Sequence, residues 1–264
     1  MYNLPIKKQF TLIVFSYFLK DIMKLELTHH QCSNCVMGRY CLPLGLSSKE
    51  SELIDQLVEK KIKLEKGEML YSQGQSFHSI FSIRYGSVKS EYSLPDGCAQ
   101  ILNFHLPGEI IGLDGIGKNQ YESDCTALEN TEVCVMDFNR FEDLAKEIPT
   151  LQKHLHQILS REITQDQKHL LTLGHLNADQ KLAFFLTNLA ERLKEREQNF
   201  LELHLSMSRE EIGSYLGIKI ETVSRTLSKF IENKCIQVNQ RHIKIIDLKK
   251  LYQLANKDMP LFMH

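Results

Sequence analysis

The feature that most constrains this chain is an unbroken helical stretch near its middle. Pro149 suits a first helical turn, where its missing N–H has no partner to lose, and nothing breaks the chain until Gly174. Leu151, Leu155, Leu159, Ile163, Leu170 and Leu173 advance by threes and fours, with one gap that Asp166 fills on the same stripe. A helix of roughly 25 residues with one apolar seam exceeds what a small domain needs and predicts coiled-coil pairing with a second copy. The alternative is a helix lying on its own sheet. This stretch also divides the chain, because the patterns on its two sides differ.

Before it, short apolar runs alternate with turn residues. Gly67, Gly74, Gly86, Gly97 and Gly108 punctuate runs at 69–71, 80–83, 88–92 and 101–104, and Asp96-Gly97 is a hairpin dipeptide. Short strands at this spacing predict an antiparallel sandwich or barrel and not an alternating α/β fold. A helix over 46–61 precedes them, opened by a capping box of Ser47 and Glu50, with Glu52 and Asp55 at the positive end of its dipole.

After the long helix, further helices are predicted over 178–196, 208–216 and 220–233. A β pair at 236–238 and 242–246 then joins across Asn239-Gln240. That order is a winged helix-turn-helix. Ser208 and Glu211 form a capping box, Ile212, Tyr215 and Leu216 give an apolar face, and Gly217 stops the helix by accepting a left-handed conformation. The second helix carries Val223, Leu227, Phe230 and Ile231 on one side, while Glu221, Ser224, Arg225 and Ser228 project together from another. Arg can pair bidentately with guanine, Glu can accept from cytosine N4, and Ser can bond either edge, so this face suits major-groove reading.

Charge supports that reading locally. The whole chain has 32 basic and 33 acidic residues, a net of −1, so nucleic-acid binding must come from clustering. Between Lys219 and Lys250 stand eight basic residues, Lys229 among them, against three acidic ones, a plausible phosphate footprint. The bland alternative is a solvated face of a protein-binding module. Apolar residues at 42% and charged residues at 25% exclude a wholly disordered chain, a collagen-like fibre and a polytopic membrane protein.

Seven cysteines are too few for a disulfide scaffold, and an odd number cannot all pair. Cys32, Cys35 and Cys41 fall within ten residues, whereas Cys98, Cys125, Cys134 and Cys235 are scattered. The cluster reads as metal binding or redox chemistry. Iron–sulfur clusters and structural zinc favour four ligands. His29 and His30 could complete a zinc site, and the residues alone leave the fourth cysteine open among Cys98, Cys125 and Cys134. A lone CxxC with no βαβ pattern around it speaks against thiol–disulfide exchange. Near the start, the apolar run 10–19 is about half of what spans a bilayer and lacks a small-x-small cleavage site. It reads as a flexible leader, with Met23 an alternative start, and a cytoplasmic location is expected.

EEIGSYLGIKIETVSRTLSKF resembles the helix-turn-helix of the CRP/FNR superfamily. Its E-x-x-S-R, formed by Glu221, Ser224 and Arg225, is similar to the FNR branch, the fumarate and nitrate reduction regulators. The likeness extends over about 32–254. It implies an α+β fold. The expected parts are a leader at 1–31, a cluster-binding loop and sensor β-roll of cyclic-nucleotide-binding type at 32–148, a dimerisation helix at 149–176 and a winged helix at 177–264. It implies a transcription regulator and not an enzyme. It further implies an oxygen-labile 4Fe–4S cluster on Cys32, Cys35, Cys41 and Cys134, the last within LENTEVC. Cys98 and Cys125 are then ordinary thiols.

The same resemblance implies a homodimer on TTGAT-like palindromic DNA and contact with RNA polymerase, the Asp96-Gly97 turn being one candidate surface. Glu162, Ile163 and Asp166 match dimer-switch positions. Two Asp166 carboxylates about 4 Å apart, at an effective dielectric near 20, would repel by roughly 4 kcal/mol. The alternative is an Asp166 that faces solvent and does nothing. Val36 and Tyr40 stand where Ser and Leu are usual. Gly108-Glu109 resembles part of the cyclic-nucleotide cassette, but Tyr121-Glu122 stands where Arg-Ser would bind the phosphate, so no cyclic nucleotide is expected. The competing readings are a regulator of the same fold with zinc or another ligand, and, remotely, a thiol-based redox enzyme.

Overall fold

The computed structural model describes residues 32, 35–42, 46–94 and 97–256. The expected leader, His29, His30 and Asp96 lie outside these residues, as does the side chain of Val36.

Helix α1 (Ser48–Leu57) opens with the expected capping box, Ser47 accepting from the Glu50 N–H and the Glu50 side chain receiving the Ser47 N–H. It ends earlier than the sequence predicts. Residues 58–61 belong to strand β1 (Val58–Leu64), whose β-sheet pairing overrides the helical pattern of the preceding turn. Seven further strands follow: β2 (Met69–Tyr71), β3 (Ser79–Tyr85), β4 (Val88–Ser93), β5 (Ala99–His105), β6 (Ile110–Ile111), β7 (Asp124–Ala127) and β8 (Thr131–Asp137). They form two antiparallel sheets in the orders β1-β8-β3-β6 and β2-β7-β4-β5, the antiparallel sandwich that the spacing of turns predicts and the β-roll that the resemblance implies. Ile80, Ile83, Val88, Val133 and Met136 fill the space between them, and each is essentially inaccessible to solvent. Gly86 needs its freedom: φ is +81°, and a Cβ there would lie 2.6 Å from the Asn130 carbonyl oxygen.

Helix α2 (Phe138–Glu147), which the sequence reading did not separate, leads into the long helix α3 (Pro149–His175). The first turns of α3 lie on the roll, with Leu151 fully buried and Leu155 and Ile158 packed against its core. Farther on, Ile163 is 58% exposed and Leu170 67%, while Leu173 is half-buried. The helix thus rests on its own sheet at one end and carries exposed apolar side chains toward the other.

Helix α4 (Ala178–Glu195), strand β9 (Glu202–His204), helices α5 (Arg209–Leu216) and α6 (Ile220–Glu232), strands β10 (Ile236–Asn239) and β11 (His242–Ile245), and helix α7 (Leu248–Asn256) complete the chain. The third sheet, β10-β11-β9, is the wing. Its hairpin turns at Gln240 and Arg241, one residue later than expected, with Gln240 left-handed at φ +55°. β9 and α7 were not anticipated, since three-residue and nine-residue segments carry little periodicity.

The winged helix is not a separate bead. Ile101, Phe104 and Leu106 of the roll share one buried core with α4, α5 and α6. The Phe104 ring lies 5.2 Å from Tyr215 and 6.1 Å from Phe185. Gln100 Nε2 donates to the Ser214 carbonyl at 2.6 Å, and Ser87 Oγ donates to Ser206 Oγ at 2.6 Å.

Candidate cysteine centre and nucleic-acid interface

Cys32, Cys35 and Cys41 are gathered by a tight turn. The Cys35 N–H donates to the Cys32 carbonyl at 3.1 Å, Cys35 caps a 3-10 turn over Val36–Arg39, and the Cys41 N–H donates to the Met37 carbonyl at 3.0 Å. Gly38 belongs here because a Cβ would lie 2.9 Å from the Cys32 carbonyl oxygen. The Cys32 N–H is anchored on the Asp55 carboxylate of α1. Cys41 Sγ lies 2.9 Å from Ser82 Oγ on β3, and Ser82 pairs directly with Cys134 across the β3–β8 ladder. Residues directly opposite in an antiparallel ladder point to the same face. Cys41 is thereby brought to the face that carries Cys134, and all four cysteines line one small cavity of about 20 Å³ with Met37, Leu42 and Ile54.

Burial, then the charge of Cys41, pushes the Cys134 thiol up to about 11, against a smaller pull from Lys61. Burial also raises the thiols of Cys32 and Cys41. Buried, Cys32, Cys41 and Cys134 resist becoming thiolates unless a cationic centre compensates them. Arg84, held to Glu132 at 2.5 Å, lines the same cavity and adds positive charge. Among the described residues no three His, Cys, Asp or Glu side chains close on the position of a single metal ion. Four cysteines around one hollow are the donor set that an iron–sulfur cluster or a structural zinc takes.

The remaining cysteines lie elsewhere. Cys98 is exposed at the start of β5, Cys125 is buried on β7 in the roll core with its thiol raised by burial, and Cys235 is buried beneath the wing.

In the winged helix, Ser208 Oγ accepts from the Glu211 N–H at 3.1 Å, and Gly217 adopts the left-handed conformation, φ +61°. Gly213 permits the close turn, since a Cβ there would meet the Ile218 carbonyl oxygen at 2.7 Å. Helix α6 buries Val223, Thr226, Leu227 and Phe230, leaving Glu221, Arg225 and Ser228 exposed and Ser224 half-buried. Arg209 of α5 reaches Ser224 Oγ at 3.2 Å, a fifth polar side chain on this face that the sequence reading missed. Its position on the helix preceding α6 concealed it; only the crossing of the two helices brings it near. Lys229 behaves differently, because its ammonium is held by Asp179 of α4, whose carboxylate also accepts from Thr226.

Of the three switch positions, Ile163 and Asp166 are exposed on α3. Glu162 turns back toward its own protomer. Burial, with the charges of Glu109 and Asp166, lifts its pKa to about 7, against the pull of Arg192.

Residues 61–147 match the cyclic nucleotide-binding domain model, and 180–254 match the Crp-like helix-turn-helix domain model. The chain is 40% identical to the transcriptional activator protein Anr of Pseudomonas protegens, over 90% of this chain and 98% of that one. The chain belongs to the CRP/FNR family of transcription regulators, and to its FNR type. The fumarate and nitrate reduction regulatory protein of Vibrio cholerae is 35% identical over 85% of this chain and 90% of its own. Among solved structures, FixK2 of Bradyrhizobium japonicum superposes with a TM-score of 0.69 at 28% identity, covering 74% of this chain and 96% of that one. Family members are DNA-binding regulators and not enzymes, which removes the thiol-enzyme alternative. No helix among the described residues is long and apolar enough to cross a membrane.

Proposed function

We propose that this protein is a cytoplasmic oxygen-responsive regulator that holds a 4Fe–4S cluster on Cys32, Cys35, Cys41 and Cys134 and binds TTGAT-like palindromes as a homodimer. The observation that carries this reading is the Ser82 relationship, which brings Cys41 over Cys134 in a hollow otherwise lined largely by apolar side chains. When bound, such a cluster supplies the oxygen-labile group. The chain's own part is to present four thiols, exclude water with Leu42, Ile54 and Met136, and balance anionic charge with Arg84. A cavity of about 20 Å³ is about the room of one water, so a larger occupant must lift the 35–42 segment off the sheet.

Glu221, Ser224, Arg225 and Ser228 read the major groove, and Ile163 and Leu170 meet their copies across a two-fold axis. RNA polymerase is the partner the family resemblance implies; of the Asp96-Gly97 turn proposed for it, Asp96 falls outside the described residues. Cyclic nucleotides are not ligands. Tyr121 is stacked on Tyr71 at 4.0 Å with its hydroxyl donating to the Ser79 carbonyl at 2.7 Å, and Glu109 is already engaged by two arginines.

Anaerobic purification with an absorption spectrum and iron and sulfide assays tests the cluster. About four irons per chain and a brown protein support it; a colourless protein carrying zinc, or no metal, refutes it.

A further inference from the structure

Two arginines of α4 end on the roll. Arg192 Nη2 donates to Glu109 Oε2 at 2.7 Å and to the Phe104 carbonyl at 2.6 Å. Arg196 Nη2 donates to Glu109 Oε1 at 2.5 Å, and its Nε donates to the Pro107 carbonyl at 2.7 Å. The β5–β6 turn is therefore clamped to the last turn of α4, on the domain that carries the DNA-reading helix. The other side of the same turn touches the cysteine segment. Gly108 is left-handed, φ +88°, and a Cβ on it would lie 2.9 Å from Tyr40 Cβ. Gly108 and Glu109 are also hydrogen-bonded through their backbones to Ile83, the neighbour of Ser82, at 2.7 and 3.1 Å.

We propose that Tyr40, Gly108 and Glu109 form a relay within one protomer that couples the position of the cysteine segment to the seating of the DNA-binding domain, through Arg192 and Arg196. The inference rests on the reading of 35–42 as the sensing segment. Tyr40 immediately precedes Cys41, so any occupant of the hollow that lifts the segment moves Tyr40 off Gly108. The turn, released on that side, changes how Glu109 meets the two arginines. No partner chain is needed for these contacts, although Glu162 of α3 faces Glu109 and Arg192, so the relay runs beside the dimer helix. Coupling of this kind is reciprocal: loosening the arginine clamp must loosen the cysteine segment by the same factor.

Hydrogen–deuterium exchange on the full-length, metal-free, reduced protein tests it. Tyr40→Ala is expected to speed amide exchange at 190–196, and Glu109→Gln to speed exchange at 35–42, each by about fivefold or more. The double variant should exceed neither single variant by much, because both break one chain of contacts. Effects confined to each variant's own segment, or effects that simply add, overturn the relay. Should Glu109→Gln fail to fold, Arg196→Lys, which removes the Nε–Pro107 bond and leaves the charge, takes its place with the same expected outcome. The metal-free readout separates the two readings. A protein that never takes up iron sinks the cluster and leaves the exchange result standing, whereas normal iron uptake with uncoupled exchange sinks only the relay.

Discussion

Ser82 and Cys134 face each other across the β3–β8 ladder, and the Ser82 hydroxyl lies 2.9 Å from Cys41 Sγ. One serine thus registers the amino-terminal thiols against the fourth. Its hydrogen bond lowers the Cys41 thiol pKa against the upward push of burial. Ser82→Ala should raise that pKa and slow alkylation of Cys41 at pH 8 by about two- to tenfold, the worth of one hydrogen bond. Mass-spectrometric alkylation rates check it, and an unchanged rate would remove Ser82 from the centre. Cys134→Ser should lower bound iron far more than Cys125→Ser.

Arg225 and Lys229 are both basic residues of α6, yet they should behave differently on DNA. Arg225 is exposed, its Nη2 reaching Thr222 Oγ1 only at 3.5 Å. Arg225→Ala should cost about 1–3 kcal/mol on the cognate palindrome and little on random sequence. Lys229 is held by Asp179, so Lys229→Ala should leave DNA affinity nearly unchanged. Gel-shift titrations at fixed salt on both sequences separate the two.

Asp166 lies on the exposed length of α3 between Ile163 and Leu170. Asp166→Ala should raise the dimer fraction in air, and Ile163→Glu should abolish dimers, both read by sedimentation velocity. A wild-type-like monomer in Asp166→Ala would remove charge repulsion from the switch.

Two carboxylates near the arginine clamp should give opposite pH dependences. Burial works against the Glu109 carboxylate, but Arg192 and Arg196 hold its pKa at about 2, below the ordinary 4.5. The folded state then binds fewer protons than the unfolded state between these values. Its stabilisation is full above about pH 5 and is lost as pH falls from 4.5 toward 2. Glu162 faces Glu109, Asp166, Arg192 and Arg161, and its pKa is lifted to about 7. Here the folded state binds the extra proton, so stability contributed by its neutral form declines as pH rises from 4.5 through 7. The difference in melting temperature between the wild type and Glu162→Gln isolates this carboxyl from the buried His105 and His169, whose lowered pKa values act in the opposite direction, and it should shift against the wild type from pH 6 to 8. Glu109→Ala should cost about 3–5 kcal/mol at pH 7, because it leaves two buried guanidiniums unpaired. A wild-type minus Glu162→Gln difference that does not change with pH, or a mild Glu109→Ala variant, would contradict these assignments.

Local chemistry was enough to place the long helix, the capping boxes at Ser47 and Ser208, the left-handed Gly217 and the polar face of α6, because each depends on residues within a turn or two of one another. Even the fourth cysteine could be reached only by family resemblance, since nothing adjacent to Cys134 marks it out from Cys98 or Cys125. The pairing of β3 with β8 puts it opposite Ser82, and strand register joins residues 52 positions apart in a way no local pattern encodes. For the same reason sequence alone does not show that Lys229 sits against Asp179 or that Glu162 sits near Glu109 and Arg192. Periodicity says which side of a helix a residue occupies. Which charged partner waits on that side is decided by the packing of distant elements, because ion pairing falls off within a few ångströms and those ångströms are set by the tertiary fold.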